Sequence, residues 1–264
     1  MSEVMGIDVS HYQKNIDWNA VAGYGKKFAI MKCMYEAQSH RIDERFEENY
    51  RGCGIYGISR GVYIFIGRAS MADPVGDAKA LLRHLGDRPL EYGIWLDYES
   101  EFLRKIGKAK IRDLTYLYAG QFRSAGYFVG IYCNKDWYDN VIHPDLKKDY
   151  DFWIARYPKN DDGLYHPTSK LKPSKEAAVA WQYSSKGYVP GITTLVDMDV
   201  DYDGIVNLIG GQPKKTNEEI VAEVLQGKWG TKNTKPTRKE LLTRAGYDYE
   251  TIRKLVNAAC SKKN

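Results

Sequence analysis

Eight short runs of β-branched and aromatic residues follow one another along most of the chain: Gly6–Val9, Phe28–Met34, Gly61–Ile66, Gly93–Tyr98, Phe128–Cys133, Phe152–Tyr157, Ala178–Tyr183 and Thr194–Val200. Runs of this length and composition read as strands, and eight in one domain invite closure into a barrel. Between the earlier ones lie stretches with helical spacing, Ile42–Gly52, Pro74–Leu85 and Ile111–Ala125, each with a glycine nearby where a helix can stop. Strands alternating with helices give an α/β fold with a mainly parallel sheet. The last strands are separated instead by Lys159–Ser174 and Ser184–Thr193, rich in Pro, Gly, Asp and Ser. The expectation is a flattened, irregular β/α barrel that lacks its final outer helices.

The pattern changes after Ile209. Residues 1–209 make the barrel unit, and Gly210 to Lys215 (GGQPKK) is a polar breaker stretch suited to a linker. Residues 216–264 read as a small three-helix module, with capping boxes at Thr216…Glu219 and Thr237…Glu240, stops at Gly227 and Gly246, and a third helix over Tyr249–Ala259. Charge separates the two units as well. From Pro213 to Asn264 there are 12 Lys and Arg against 6 Asp and Glu, a net of +6, so the whole-chain +5 leaves −1 for the rest. A basic module of this kind suits nucleic acid, an anionic membrane or an acidic polymer, or is simply a solvated surface. Trp229, Tyr247 and Tyr249 among the basic residues fit a saccharide or acidic-polymer surface at least as well as DNA.

Four carboxylates stand at strand ends: Asp8, Asp97, Glu99 and Asp197. In a parallel barrel the C-terminal strand ends form one face, where active sites assemble, so all four are expected to converge there. Alternation puts Asp97 and Glu99 on the same side and Tyr98 on the other. Two carboxyls held close cannot both ionise freely, so one keeps its proton near neutral pH. Glycosidic cleavage needs such a proton donor for the leaving oxygen and a negative neighbour for the oxocarbenium-like centre. The plainer alternative is that strand-end acids cap a following helix or pair with Lys or Arg.

Other chemistries lack their signatures. There is no GxSxG elbow and no GxxxxGK[ST] loop. Cys33, Cys53, Cys133 and Cys260 have no paired spacing, and His11, His40, His84, His143 and His166 are scattered, so no disulfide framework, metal or cofactor is expected. No stretch nears the roughly 18 apolar residues of a membrane span. The N-terminus lacks the basic start and apolar run of a secretory signal. The expectation is a protein made in the cytoplasm that reaches its target after release or by a non-classical route. The 21 Tyr and 6 Trp suit sugar surfaces, though composition alone favours ordinary packing.

Several motifs, in this order and spacing, resemble glycoside hydrolase family 25, the muramidase lysozymes of phage endolysins and bacterial autolysins. They are Gly6-Ile7-Asp8-Val9-Ser10-His11-Tyr12-Gln13, Gly61-Val62-Tyr63-Ile64-Phe65, Asp97-Tyr98-Glu99, Gly130-Ile131-Tyr132, Phe152-Trp153-Ile154-Ala155-Arg156-Tyr157, Trp181-Gln182-Tyr183 and Val196-Asp197-Met198-Asp199. The resemblance implies that Glu99 is the general acid and that Asp8, Asp97 and Asp197 complete an acidic cluster. It also implies that Tyr63, Tyr132, Trp153, Trp181 and Gln182 bind sugar, and that the substrate is the β-1,4 bond from N-acetylmuramic acid to N-acetylglucosamine. Two departures are Ile64, where the family usually has histidine, and Lys32-Cys33-Met34-Tyr35-Glu36, which leaves the role of Glu36 open. The tail is similar to a short cell-wall-binding repeat, implying a targeting module with Trp229, Tyr247 and Tyr249 in contact with the wall. Peptidoglycan and its acidic polymers are the implied partners, with no nucleic acid.

Three rivals stand beside this reading. A non-catalytic glycan-binding barrel would keep the cleft without the acid pair. A chitinase-type barrel shares the Asp97-Tyr98-Glu99 ending but would need an acidic repeat where Tyr92-Gly93-Ile94-Trp95 stands. A nucleic-acid binder rests on the tail charge alone.

Overall fold

The computed structural model describes residues 3–35, 40–202, 204–205, 217–227, 229–233, 237–239, 242 and 249–261. The chain divides into two compact units, Met1–Ile209 and Gly210–Asn264. The first is a closed eight-stranded barrel: β1 (Val4–Val9), β2 (Phe28–Met34), β3 (Ser59–Phe65), β4 (Ile94–Asp97), β5 (Val129–Asn134), β6 (Phe152–Ala155), β7 (Ala180–Gly187) and β8 (Val196–Asp201). Strands β1 to β7 run parallel, each paired with the next. Strand β8 closes the barrel antiparallel to both β7 and β1. Asp197 is therefore at the start of its strand rather than at its end, and reaches the common face only because β8 runs the other way.

Helices cover the outside of the earlier strands: α1 (Trp18–Gly23), α2 (Phe46–Ile55), α3 (Pro74–Leu85), α4 (Glu101–Ile106), α5 (Lys108–Ser124), α6 (Lys135–Asn140) and α7 (Pro144–Asp149). Helix α3 starts where Asp73 caps the Gly76 N–H, with Pro74 in its first turn, and stops at Gly86, whose φ of 62° suits glycine. Helix α5 buries Ile111, Leu114, Tyr118 and Phe122, one stripe at helical spacing. Helix α2 begins later than the expected Ile42 because Ile42 bridges Met34 and the Asp43 N–H donates to the Cys33 carbonyl. Turns, not helices, join β6 to β7 and β7 to β8, so the outer layer stops where the sequence stops alternating.

Large rings fill the lower barrel. Phe28 stacks on Tyr92 at 4.2 Å, and Trp95 meets Trp153 edge to face at 5.9 Å. Glycine makes room for them, since a Cβ on Gly6 would lie 2.3 Å from the Phe28 ring and one on Gly130 would lie 2.3 Å from Trp95. Much of the aromatic excess is thus core: Trp95, Trp137, Trp153 and Trp181 are all buried. Cys33, Cys53 and Cys133 are buried and free, and Cys260 is free and exposed.

In the second unit, α8 (Asn217–Leu225) and α9 (Tyr249–Ser261) are joined by helical residues at Arg238, Lys239 and Leu242. Ile220, Val221, Val224, Leu242 and Ile252 form its core. The expected linker at 210–215, Thr216 and Tyr247 lie outside the described residues. Among the described residues, no helix is long and apolar enough to cross a membrane.

Candidate active site

The interior face above the ring-filled core is polar, and it opens to solvent at the C-terminal ends of the parallel strands. An open cavity of about 410 Å³ there is lined by Asp8, Asp97, Glu99 and Asp197, with Lys32, Tyr63, Phe65 and Tyr12 among its walls. All four acids come together with Tyr63. Alternation works as expected: Tyr98 turns outward and bonds Thr115 Oγ1 on α5 at 2.8 Å, while Asp97 and Glu99 face the cavity.

The acids differ in their surroundings. Asp8 and Asp97 are buried, whereas Glu99 is exposed in the mouth of the cleft. Burial, joined by the Glu99 charge, holds the Asp97 carboxyl well above the usual carboxylate range. Burial also raises Glu99, against the opposing pull of the Lys32 ammonium. Asp8 is held well above the usual range by burial and by the Asp197 and Asp199 charges. Asp197 is pushed up to about 6 by burial and then by Glu99 and Asp161. Asp97 Oδ1 is buried and has no hydrogen-bond partner among the described residues. The four carboxyls are thus all raised from their ordinary values, and a buried acceptor without a donor lies among them.

These raised carboxyls set a direction for stability. A carboxyl whose folded pKa lies above its unfolded value contributes its stability fully below the unfolded value, and the contribution is lost as pH rises through the folded one. Asp197 alone, moving from 3.8 to about 6, makes this about 3 kcal/mol in all, of which about 1–1.5 kcal/mol is lost above pH 5, and the other raised acids add to it. The melting temperature is expected to fall by on the order of 5 °C or more between pH 5 and pH 8, measured by calorimetry at fixed ionic strength. A melting temperature that stays level or rises over that range would show that the acids do not hold these protons.

Gln182 is buried behind Asp8 rather than in the open cleft. Its Nε2 donates to Asp8 Oδ2 at 2.5 Å, and its Oε1 accepts from Tyr132 Oη at 2.7 Å and from Tyr157 Oη. Tyr132 thus reaches the cluster through Gln182. The expected placement of Trp153 and Trp181 in a sugar cleft is corrected: both are 2% exposed and neither lines the cavity. Trp153 lies in the barrel core, its Nε1 donating to Asp199 Oδ1 at 2.9 Å. Trp181 follows the alternation of β7, so with Gln182 inside it faces outward, packing near Tyr165 and Tyr183 with its Nε1 donating to the Arg156 carbonyl at 2.9 Å.

Lys32 and Asp199 were not singled out from the sequence. Lys32 shares the interior face of β2 with Phe28 and Ile30, and Asp199 is two residues beyond Asp197 on β8, so strand alternation alone carried the signal. In the tail, Trp229 and Tyr249 pack against the module's core, and Trp229 Nε1 donates to Glu223 Oε2 at 3.0 Å. Glu36 lies outside the described residues.

Among the described residues, one group could hold a metal ion: His11, Asp43 and Glu44, with ligand atoms within 4.8 Å of one another. These atoms already have partners, with His11 Nδ1 2.9 Å from Asp43 Oδ2 and Tyr35 Oη 2.7 Å from Glu44 Oε2. A larger open cavity of about 720 Å³, between residues 15–17 and 188–193, is lined by one carboxyl, Asp17. That carboxyl caps α1.

The chain is similar to several known proteins. An autolytic lysozyme of Clostridium acetobutylicum is 26% identical over 250 residues, covering 94% of this chain and 68% of that protein. Lysozyme M1 of Streptomyces globisporus is 27% identical over 206 residues, 74% of this chain and 67% of that one. The crystal structure of a bacterial lysozyme from Streptomyces coelicolor superposes with a TM-score of 0.64 at 23% identity, covering 80% of this chain and 99% of the other. Residues 218–259 match the CW_7 repeat. Residues 7–192, which span the whole acidic cleft except Asp197, match the glycosyl hydrolases family 25, and the chain is a glycoside hydrolase belonging to that family.

Proposed function

We propose that this enzyme, whose relatives mark it as a peptidoglycan hydrolase, cleaves the β-1,4 bond between N-acetylmuramic acid and N-acetylglucosamine and so lyses cells. The observation that carries the reading is the Asp97–Glu99 pair, with one carboxyl buried and lacking a partner on Oδ1 and the other raised yet open to solvent. In this reading Glu99 gives its proton to the glycosidic oxygen as the C1–O bond breaks. Asp97, with a free buried acceptor, suits the N–H of the 2-acetamido group, whose carbonyl oxygen then attacks C1 from the opposite face. Water next opens the cyclic intermediate, giving its proton to the Glu99 carboxylate and its oxygen to C1. Asp8 and Asp197 supply negative potential to the positive ring, and Tyr63 lines the cleft.

In this reading the chain needs sugars rather than stem peptides. Wall glycan strands stripped of their peptides should be cut into shorter saccharides with new reducing ends. Failure on these strands, with release of peptides from intact wall, would overturn the reading.

The basic tail is proposed to hold the enzyme on the wall and its acidic polymers. Deleting Pro213–Asn264 removes the net +6. Cleavage of small soluble fragments should stay nearly unchanged, while lysis of intact cells weakens. The weakening should be greatest at low salt, because long-range attraction is screened within about 10 Å at 0.1 M. A folded truncated barrel that loses activity on soluble fragments would make the tail part of the cleft instead.

A further inference from the structure

Asp199 is wholly buried, does not line the cleft and has no part in the steps above. Cross-strand register places Gly6 opposite it on β1 and Gln182 opposite it on β7, while Asp8 is opposite Asp197. Gly6 offers no side chain, so the Asp199 carboxyl sits one layer below the cleft, against the underside of Asp8.

The donors around this pair can be assigned. Trp153 Nε1, which can only donate, is 2.9 Å from Asp199 Oδ1. On the other side, the hydroxyls of Tyr132 and Tyr157 hold the carbonyl end of Gln182, which leaves its NH₂ for Asp8 Oδ2 at 2.5 Å. Asp199 Oδ2 is buried with no hydrogen-bond partner among the described residues, and Asp8, two residues along β1 from Gly6, is the neighbouring acid that feels its charge. Two bare carboxylates side by side in the buried interior would carry both an unmet acceptor and like-charge repulsion. One proton between them removes both.

We infer that Asp8 and Asp199 share a single proton inside the barrel, and that Asp199, through this bond, is the positioning residue that sets how the Asp8 carboxyl faces the cleft. The proposal rests on Asp8 serving the hydrolysis described above. The charged and titratable groups around the pair are Asp197 on the same strand, Tyr63 on β3, Tyr132 on β5, Tyr157 after β6 and Lys26 before β2, with Tyr183 on the outer face of β7 behind it. Lys26 is the cation among them, so a pair that keeps one proton and one negative charge is matched by it. Burial first, and the neighbouring Asp197 charge second, hold both carboxyls well above their usual range.

The consequence is a limit on the alkaline side. As pH rises through the pair's raised value the shared proton leaves, the two carboxylates repel, and Asp8 loses its direction. In Asp199→Asn the amide oxygen still accepts from Trp153 and the NH₂ donates permanently to Asp8. That variant should keep turnover close to the parent, with the alkaline limb of its kcat profile moved to higher pH. Asp199→Ala removes both contacts and should lower kcat by on the order of tenfold to a hundredfold, with KM little changed. Infrared difference spectra of the free protein at neutral pH give a readout that needs no substrate: Asp199→Asn should lose one protonated-carboxyl band. A parental pH profile in Asp199→Asn, or no loss of that band, would overturn the proposal. Should Asp199→Ala fail to fold, the Asn variant and the infrared spectrum decide alone. A lost band in a protein that cuts no glycan would retain the shared proton and reject the hydrolytic reading instead.

Discussion

Replacing Glu99 with Gln should lower the rate of wall hydrolysis by about 10²–10⁴-fold, the usual worth of a general acid, while leaving the fold unchanged. The amide is nearly isosteric, and the side chain it replaces is exposed in the cleft mouth, so no packing is lost. What disappears is the proton. That loss should depend on the leaving group: a synthetic glycoside with an acidic phenol departs without protonation, so Glu99→Gln should be far less impaired on it than on glycan. Steady-state rates on both substrates separate this role from a structural one. Retention of more than about a tenth of the parental rate on glycan, in a folded protein, would contradict the assignment.

Asp97→Asn should affect both activity and stability. A buried carboxyl held above its usual range costs stability near neutral pH, and its Oδ1 is a buried acceptor without a partner. The amide cannot ionise, so the fall of the melting temperature with rising pH should be smaller in Asp97→Asn than in the parent. Turnover should nevertheless fall by roughly 10²-fold, because a charged acceptor for the acetamido N–H is replaced by a neutral one. Undiminished turnover in the folded variant would remove Asp97 from the mechanism. A covalent glycosyl adduct trapped on Asp97 would favour the two-carboxylate nucleophile route over help from the substrate's acetamido group.

All eight strands were legible because each is an apolar run bounded by turn residues, and burial on both faces of a barrel strand writes such runs plainly. The direction of β8 was not read, although the sequence held the clue. Between Tyr183 and Thr194 there are ten residues without helical pattern, while a parallel connection needs a dozen or more, usually with a helix. Helices α1, α4, α6 and α7 have six residues each, too few for a 3.6-residue period to register. Three of them start on a single side-chain cap, Asp17 for α1, Asn134 for α6 and His143 for α7.

The site was legible to a similar depth. The four acids were found because each was read at a strand end, which for Asp197 is the start of an antiparallel strand, and Tyr63 was found through the family motif. The tryptophans were placed by motif rather than by geometry. Trp181 and Gln182 are neighbours on one strand and cannot both face inward, and Gln182 is the one bonded to Asp8. Asp199 was passed over because an acid deep in a barrel has no strand-end signal. Only its spacing from Asp197 marks it.

The central claim, that the acidic cleft hydrolyses the muramyl glycosidic bond, is tested most directly by digesting purified walls in ¹⁸O-labelled water and locating the label by mass spectrometry. The account predicts one labelled oxygen at C1 of new N-acetylmuramic acid reducing ends, and none in the peptides. Label at C1 of N-acetylglucosamine, or in a newly freed carboxylate, would contradict it.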